Sequence, residues 1–316
     1  MTHIEKQTLR DLHRPGWRGA IFVLAFGTLF YLLVAATVYC LAEAIYWPLA
    51  PLFLANGYLS HSLVIAFHEA AHGSLCPWRP LNEYLGRVIG LQAFNSLTLY
   101  RELHHWHHAH LGTPRDEEFW PFTDPANGKW KRRLAAFFEL GFGILYTPVL
   151  YFRAYIRNGS RIQISIWRRM VIWYEVLAPW VVWGGLAAVT IYYDVFWYYA
   201  ISYLIPAFVA GNIQSWRKYV EHIGLTGSTW ATLTRAVRPS GPAGHLLSES
   251  VLHEPYHDLH HRYPKIPYEN LPAAAKVDPS KAGEVPLFAN YWEALKDLLR
   301  GLADPKFGPA WRKKAI

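Results

Sequence analysis

Long uncharged apolar runs alternate along the chain with short polar segments rich in arginine, lysine and histidine, and this alternation predicts the elements. Residues 20–42 carry no charged side chain and follow Lys6, Arg10, Arg14 and Arg18. Roughly 20 apolar residues cross a bilayer core, so the run reads as a first transmembrane helix, N-terminus inside and the turn at Glu43 outside. Residues 47–67 form the returning span and deliver His68 to the inner boundary; Pro48, Pro51, Asn56 and His61 interrupt it, which a helix packed among neighbours tolerates. The apolar stretch 88–100 would be only about 20 Å long as a helix against a core of about 30 Å, so it is expected to be re-entrant or interfacial. Residues 111–133 are polar and loop-like, and 134–152 are apolar but contain Glu139, Gly141, Gly143 and Pro148. Arg132, Arg133 and Arg153 at both ends of that run point to an interfacial helix rather than a span.

Residues 170–192 and 195–214 read as a third and a fourth span, with Arg168, Arg169, Arg217 and Lys218 on one side and Asp194 in the outer turn. Glu175 falls near the inner end of the third, where a carboxylate is a functional suspect unless it reaches the interface. A tail helix is expected at about 288–301 from its amphipathic spacing, packed on the cytoplasmic portion or the membrane surface. The expected fold is therefore all-α: one domain over residues 1–316, about four transmembrane helices, and a cytoplasmic helical cap, with both termini on the cytoplasmic side.

Composition agrees with that picture. Hydrophobic residues make up 52% of the chain, and the aromatic share of 16% suits membrane-interface belts as well as packed cores. The net charge of +8 gathers at the ends of apolar runs, which favours anionic lipid headgroups over nucleic acid. Cys40 and Cys76 alone argue against a disulfide framework or a thiolate iron–sulfur site. The first apolar run is too long for the core of a cleavable signal.

Candidate chemistry lies in the histidines. In Leu103-His104-His105-Trp106-His107-His108-Ala109-His110, His104, His107 and His108 stand at i, i+3 and i+4 and share one helix face, while His105 points elsewhere. His68 and His72 repeat the i, i+4 spacing, and His257, His260 and His261 repeat the triplet. These clusters supply eight ligands where one zinc needs three or four, so they suggest two metal ions, and imidazole suits iron among other transition metals. His105, His110 and His253 are expected to be supporting or structural, and His61 to make a polar contact within the bundle. Asp116, Glu117 and Glu118 just after the second cluster are candidates to hydrogen-bond the ligating imidazoles, or else form a solvated charge run. Two rivals deserve testing. His68-Glu69-Ala70-Ala71-His72 satisfies the HExxH pattern of a membrane zinc metalloprotease with Glu69 as general base, although Leu75 stands where the extended pattern needs glycine and the other clusters are left idle. Haem ligation would need histidines within the spans, and these fall just beyond them.

The series His68-Glu69-Ala70-Ala71-His72, then His104-His105-Trp106-His107-His108, then His257-Asp258-Leu259-His260-His261 followed by Pro267-Tyr268-Glu269-Asn270-Leu271-Pro272, resembles the membrane fatty acid desaturase family, whose order is HxxxH, HxxHH and HxxHH. The likeness runs from about residue 61 to 272. It implies a non-haem centre of two Fe ions that activates O2 against an unactivated C–H bond of a lipid acyl chain and leaves a double bond. The same superfamily contains lipid and carotenoid hydroxylases and ketolases, which form the alternative. It also implies that the segment Trp216-Arg217-Lys218-Tyr219-Val220-Glu221-His222 contributes His222 as a ninth ligand. The tryptophans and tyrosines of the second and fourth spans are expected to wall an apolar channel. No Gly-rich dinucleotide fingerprint opens a helix, and no HPGG haem-domain signature is present, so the implied electron source is a ferredoxin or cytochrome-type donor with its reductase.

Overall fold

The computed structural model describes residues 3–158, 164–278 and 285–312; residues 1–2 and 313–316, at the two termini, lie outside the described residues. A short helix α1 (His3–Asp11) precedes α2 (Arg18–Ala42) and α3 (Leu49–His72), which pack on each other. α2 is apolar on all sides, yet it buries little more than Val23, Phe30 and Thr37, one narrow stripe at seven-residue spacing. Its remaining faces expose side chains such as Leu24 at 64%. Contiguous exposed apolar surface of this kind belongs against lipid or another protein, not water. α3 is the central helix, touching α2, α4 (Arg79–Gln92), α5 (Leu97–His110) and α9 (Ile205–His222). It ends where Gly73 takes the left-handed conformation (φ 75°), a cap that suits glycine because it lacks a Cβ.

Among the described residues, four helices are long and apolar enough to cross a membrane: α2, α3, the stretch Lys129–Arg157 of α6 (Lys129–Asn158), and α7 (Ile166–Tyr192). The number equals the expectation, but one member differs. The region expected to be an interfacial helix is the middle of α6, which runs well past both arginine flanks and bends at the non-helical Phe142. Those arginines bind within the protein: Arg132 Nε donates to the Pro305 carbonyl at 2.8 Å, Arg133 Nε to Ala303 at 2.7 Å, and Arg153 pairs with Glu117 at 3.0 Å. Glu139 is likewise neutralised from within, by Lys218 and by the Tyr219 hydroxyl at 3.0 Å. Conversely, 195–214 is not one uniform span. It begins as α8 (Phe196–Tyr199), passes through a π turn at Ala200–Leu204 and continues as α9. The stretch 88–100 is divided between α4 and α5, each 14 residues and neither long enough to cross.

α6 and α9 cross closely because Gly143 and Gly211 meet there: a Cβ on Gly143 would lie 2.5 Å from the Gly211 carbonyl oxygen. Glu175, the carboxylate in α7, ties helices together. It accepts from Ser96 Oγ (2.6 Å), Thr98 N (2.9 Å) and Arg87 Nε (2.8 Å), and so pins the N-terminus of α5 to α7. Beyond α9 the chain forms short elements: α10 (Trp230–Leu233), β1 (Ala236–Val237) paired in parallel with β2 (Leu287–Phe288), α11 (Gly241–Ser250), α12 (His257–Arg262), α13 (Leu271–Val277) and the tail helix α14 (Tyr291–Gly301). One apolar cluster joins α3, α5, α12 and α13 through Ile65, Phe67, Leu103, Leu259 and Leu271. A second joins α9, α14 and the loops through Phe119, Phe122, Tyr219, Ile223, Leu298 and Phe307. The histidine-bearing ends of α3, α5 and α9 lie among these clusters.

Candidate metal centre

Helical spacing puts His68 and His72 on one face at the end of α3, and His104, His107 and His108 on one face of α5. α9 contributes its last residue, His222, and α12 is a six-residue helix that begins at His257 and carries His260 and His261. All nine meet in two adjoining groups. His68, His72, His104, His108 and His260 offer ligand atoms within 4.8 Å of one another, as do His107, His222 and His261. His257 joins the second group through Nε2, 2.8 Å from His222 Nε2 and 3.1 Å from His261 Nε2. In the first group the Nε2 atoms of His68 and His104 are 2.9 Å apart, those of His104 and His108 3.1 Å, and those of His108 and His260 3.1 Å. Two nitrogens held at right angles about 2.1 Å from one ion stand about 3 Å apart, so these separations fit shared coordination.

The hydrogen bonds on the outer nitrogens sharpen the point. His104 Nδ1 lies 3.0 Å from Glu118 Oε2, His107 Nδ1 2.9 Å from Asp116 Oδ2, His222 Nδ1 2.9 Å from the Leu233 carbonyl, and His257 Nδ1 3.2 Å from Glu254 Oε1. The Glu118, Asp116 and Leu233 oxygens accept hydrogen bonds, so Nδ1 of His104, His107 and His222 carries the proton and Nε2 turns a bare lone pair inward, while the Glu254 carboxylate only approaches His257. The bare His222 Nε2 faces His257 Nε2 at 2.8 Å, a separation that a shared cation would satisfy. His72 Nε2 is buried with no hydrogen-bond partner, which a metal bond would satisfy. The residues present therefore fit two metal ions.

Electrostatics agree. Burial, reinforced by neighbouring imidazoles, holds His108, His222, His260 and His261 well below the ordinary histidine range, in the neutral form that can ligate. For His107 burial acts in the same direction, but Asp116 overrides it and raises the value. Burial would raise Glu118, yet His104, His107 and Lys218 keep it far below the usual carboxylate range.

Asp116 and Glu118 are buried, so the acidic run after α5 is no solvated patch. Glu117 instead pairs with Arg153. Two further carboxylates were not legible in the histidine spacing. Arg217 bridges Glu221 and Glu254; Glu254 sits one helical turn before His257, and Glu221 Oε2 lies 3.6 Å from His257 Nε2. The signals available were the i, i+3 relation of Glu254 to His257 and the Glu221-His222 adjacency. The remaining histidines stand apart. His110 packs on Trp106, His253 pairs with Glu249, and exposed His105 only approaches His72. His61 is buried near Tyr58.

The rival chemistries lose their footing here. Glu69 accepts from Ser74 Oγ at 2.8 Å and from Tyr268 N at 3.2 Å, so the base an HExxH protease needs is occupied. Nitrogens 2.8–3.1 Å apart leave no room for a porphyrin between them. Two apolar cavities flank the centre. One of about 650 Å³ is walled by Phe94, Leu99, Ile144, Pro148, Phe152 and Trp180, and reaches Tyr151, whose hydroxyl donates to Glu118 Oε1 at 3.1 Å. The other, of about 510 Å³, reaches His61 and Arg217. Of the tyrosines expected as walls on the second and fourth spans, Tyr58 lines the 510 Å³ cavity and Tyr203 a smaller one. Trp47 and Trp197 face outward, and most of the aromatic lining of the larger cavity comes from α6, α7 and the segment before α5.

Apolar-faced helices whose ends converge on nine imidazoles form a site that could hold metal ions, next to helices long and apolar enough to cross a membrane. The family described as fatty acid desaturase matches residues 45–291, and the chain belongs to that family, which is known for a di-iron centre. The chain is also similar to zeaxanthin 4-ketolase of Chlamydomonas reinhardtii, at 24% identity over 231 residues, which is 72% of this chain and 44% of that protein. It thus spans less than half the length of this curated relative. Together these relationships support a function of the di-iron desaturase or hydroxylase type.

Proposed function

We propose that the chain is a membrane-bound, oxygen-dependent di-iron oxidoreductase that acts as a fatty acid (acyl-lipid) desaturase. The observation that carries this reading is the convergence of nine imidazoles with the Nδ1 atoms of His104, His107 and His222 already hydrogen-bonded outward, which leaves their Nε2 lone pairs to a pair of cations. His68, His72, His104, His108 and His260 would hold one ion, and His107, His222, His257 and His261 the other. When bound, the irons supply reductive activation of dioxygen and attack on an unactivated C–H bond. Asp116, Glu118 and the Leu233 carbonyl fix the tautomer and ring orientation of their histidines. The apolar cavity beside Tyr151 offers an acyl chain a dry approach from the lipid side, because Leu145, Val149 and Trp180 on its rim face outward.

Desaturation removes a hydrogen from each of two neighbouring carbons, releasing two electrons and two protons. Reduction of dioxygen to two waters takes four of each, so the other two electrons and protons must be supplied. A ferredoxin or cytochrome-type donor with its reductase fills that need. By the positive-inside rule, the basic residues at the ends of the apolar runs favour a cytoplasmic position for both termini and the histidines.

A second reading, hydroxylation or ketolation of a lipid or carotenoid, is favoured by the similarity to the ketolase. Lipid and carotenoid profiling of a host expressing the wild type against His107→Ala separates the two. A double bond lost in the variant supports desaturation, a lost hydroxyl or keto group supports the second reading, and identical profiles contradict both.

A further inference from the structure

A smaller cavity, of about 60 Å³, lies between α3, α6, α9 and the turn after α4, and shares Asn95, Ile144, Pro148 and Ala207 with the 650 Å³ cavity. Its lining on α3 (Ser60, Leu63 and Val64) falls four to eight residues before His68, and Gln214 falls eight before His222. That is about 6–12 Å along the helix axes from the histidines. A hydrocarbon end would ask for an apolar wall in such a place. Gln92 and Gln214 line it instead, and Gln92 Nε2 and Gln214 Oε1 are buried with no hydrogen-bond partner. The backbone around them is already committed: the Gln92 carbonyl accepts from Tyr203 Oη at 2.9 Å and the Leu91 carbonyl from Trp183 Nε1 at 2.9 Å. One donor and one acceptor are thus left over within a single small lining, and buried polar groups are normally paired.

We infer that this pocket recognises a hydroxyl group on an otherwise apolar substrate, the hydrocarbon body occupying the adjoining 650 Å³ cavity. A hydroxyl matches the leftover pair because it both accepts and donates, from Gln92 and to Gln214 respectively. A carbonyl would leave the acceptor unmet, and a methyl terminus would leave both. The volume admits that group together with the few carbons next to it. Seated there, the oxygen would also fix which carbon reaches the histidines. The inference rests on the apolar-substrate reading above and refines it.

The test is displacement of a bound fluorescent polyene from the purified full-length protein by two matched pairs: zeaxanthin against β-carotene, and oleyl alcohol against 1-octadecene. In at least one pair the hydroxylated member should displace at about tenfold lower concentration or better, since a site built to hydrogen-bond a hydroxyl rejects the analogue lacking it. Gln92→Leu/Gln214→Leu should abolish that preference while hydrocarbon binding persists. Gln214→Met, similar in length without the amide, should reduce it, and thermal unfolding of both variants checks that they fold. Equal displacement within both pairs, or a preference that survives the double variant, overturns the inference and leaves the apolar-substrate reading intact. Failure of the polyene and of every ligand to bind overturns both.

Discussion

Glu118 shows how much of the centre lies outside its histidines. One oxygen holds His104 Nδ1 and the other accepts from Tyr151, so a single buried carboxylate orients a candidate ligand and anchors a tyrosine that lines the larger cavity. Glu118→Ala is expected to weaken metal retention about 10- to 100-fold, read by competition with a chelator, and retention equal to wild type would contradict that role. Acid should act in the same direction. The neutral histidines have folded values below the ordinary 6.5, so below that pH the unfolded chain binds more protons than the folded one. Stability and metal content should be complete above about pH 6.5 and fall as the pH drops, whereas a melting temperature flat from pH 8 to 5 would contradict this. Eight of the nine imidazoles were legible because 3.6-residue periodicity turns sequence spacing into a shared face. His222 carries no such spacing and was readable only through family likeness. Glu221 and Glu254 escaped because their role depends on Arg217, 37 positions from Glu254 in sequence.

The helices teach a related lesson about apparent flanks. Arginines at both ends of 134–152 looked like interface anchors, yet they bind carbonyls of the tail and the carboxylate of Glu117, so α6 extends past them. Local sequence cannot tell an arginine that meets headgroups from one that meets the protein. The polar intrusion at Glu139 is tolerated because Lys218 and Tyr219 answer it from α9. Lys218→Met should therefore strand a buried carboxylate and cost about 3–5 kcal/mol, while Lys218→Met/Glu139→Gln should recover most of that loss. Denaturant titration of both variants measures it, and equal stability of the two would show that the pair is not coupled. The π turn at Ala200–Leu204 was not legible, since hydropathy reports apolarity and not hydrogen-bond register.

At the scale of the molecule, exposed apolar faces on α2 and α7 ask for lipid or another protein, and the elements after α9 complete the centre with α12. The helical fold class and the three long apolar helices α2, α3 and α7 were readable in advance because they follow from run length. The cavities were not, because their walls come from α4, α6, α7 and α9 at once. The whole account turns on two ions held by nine imidazoles. Mass-spectrometric metal analysis of the purified wild type, alongside His72→Ala and His222→Ala, tests it most directly. Two irons per chain in the wild type, with depletion in each variant, are predicted; one zinc per chain, or iron content unchanged by both substitutions, would contradict it.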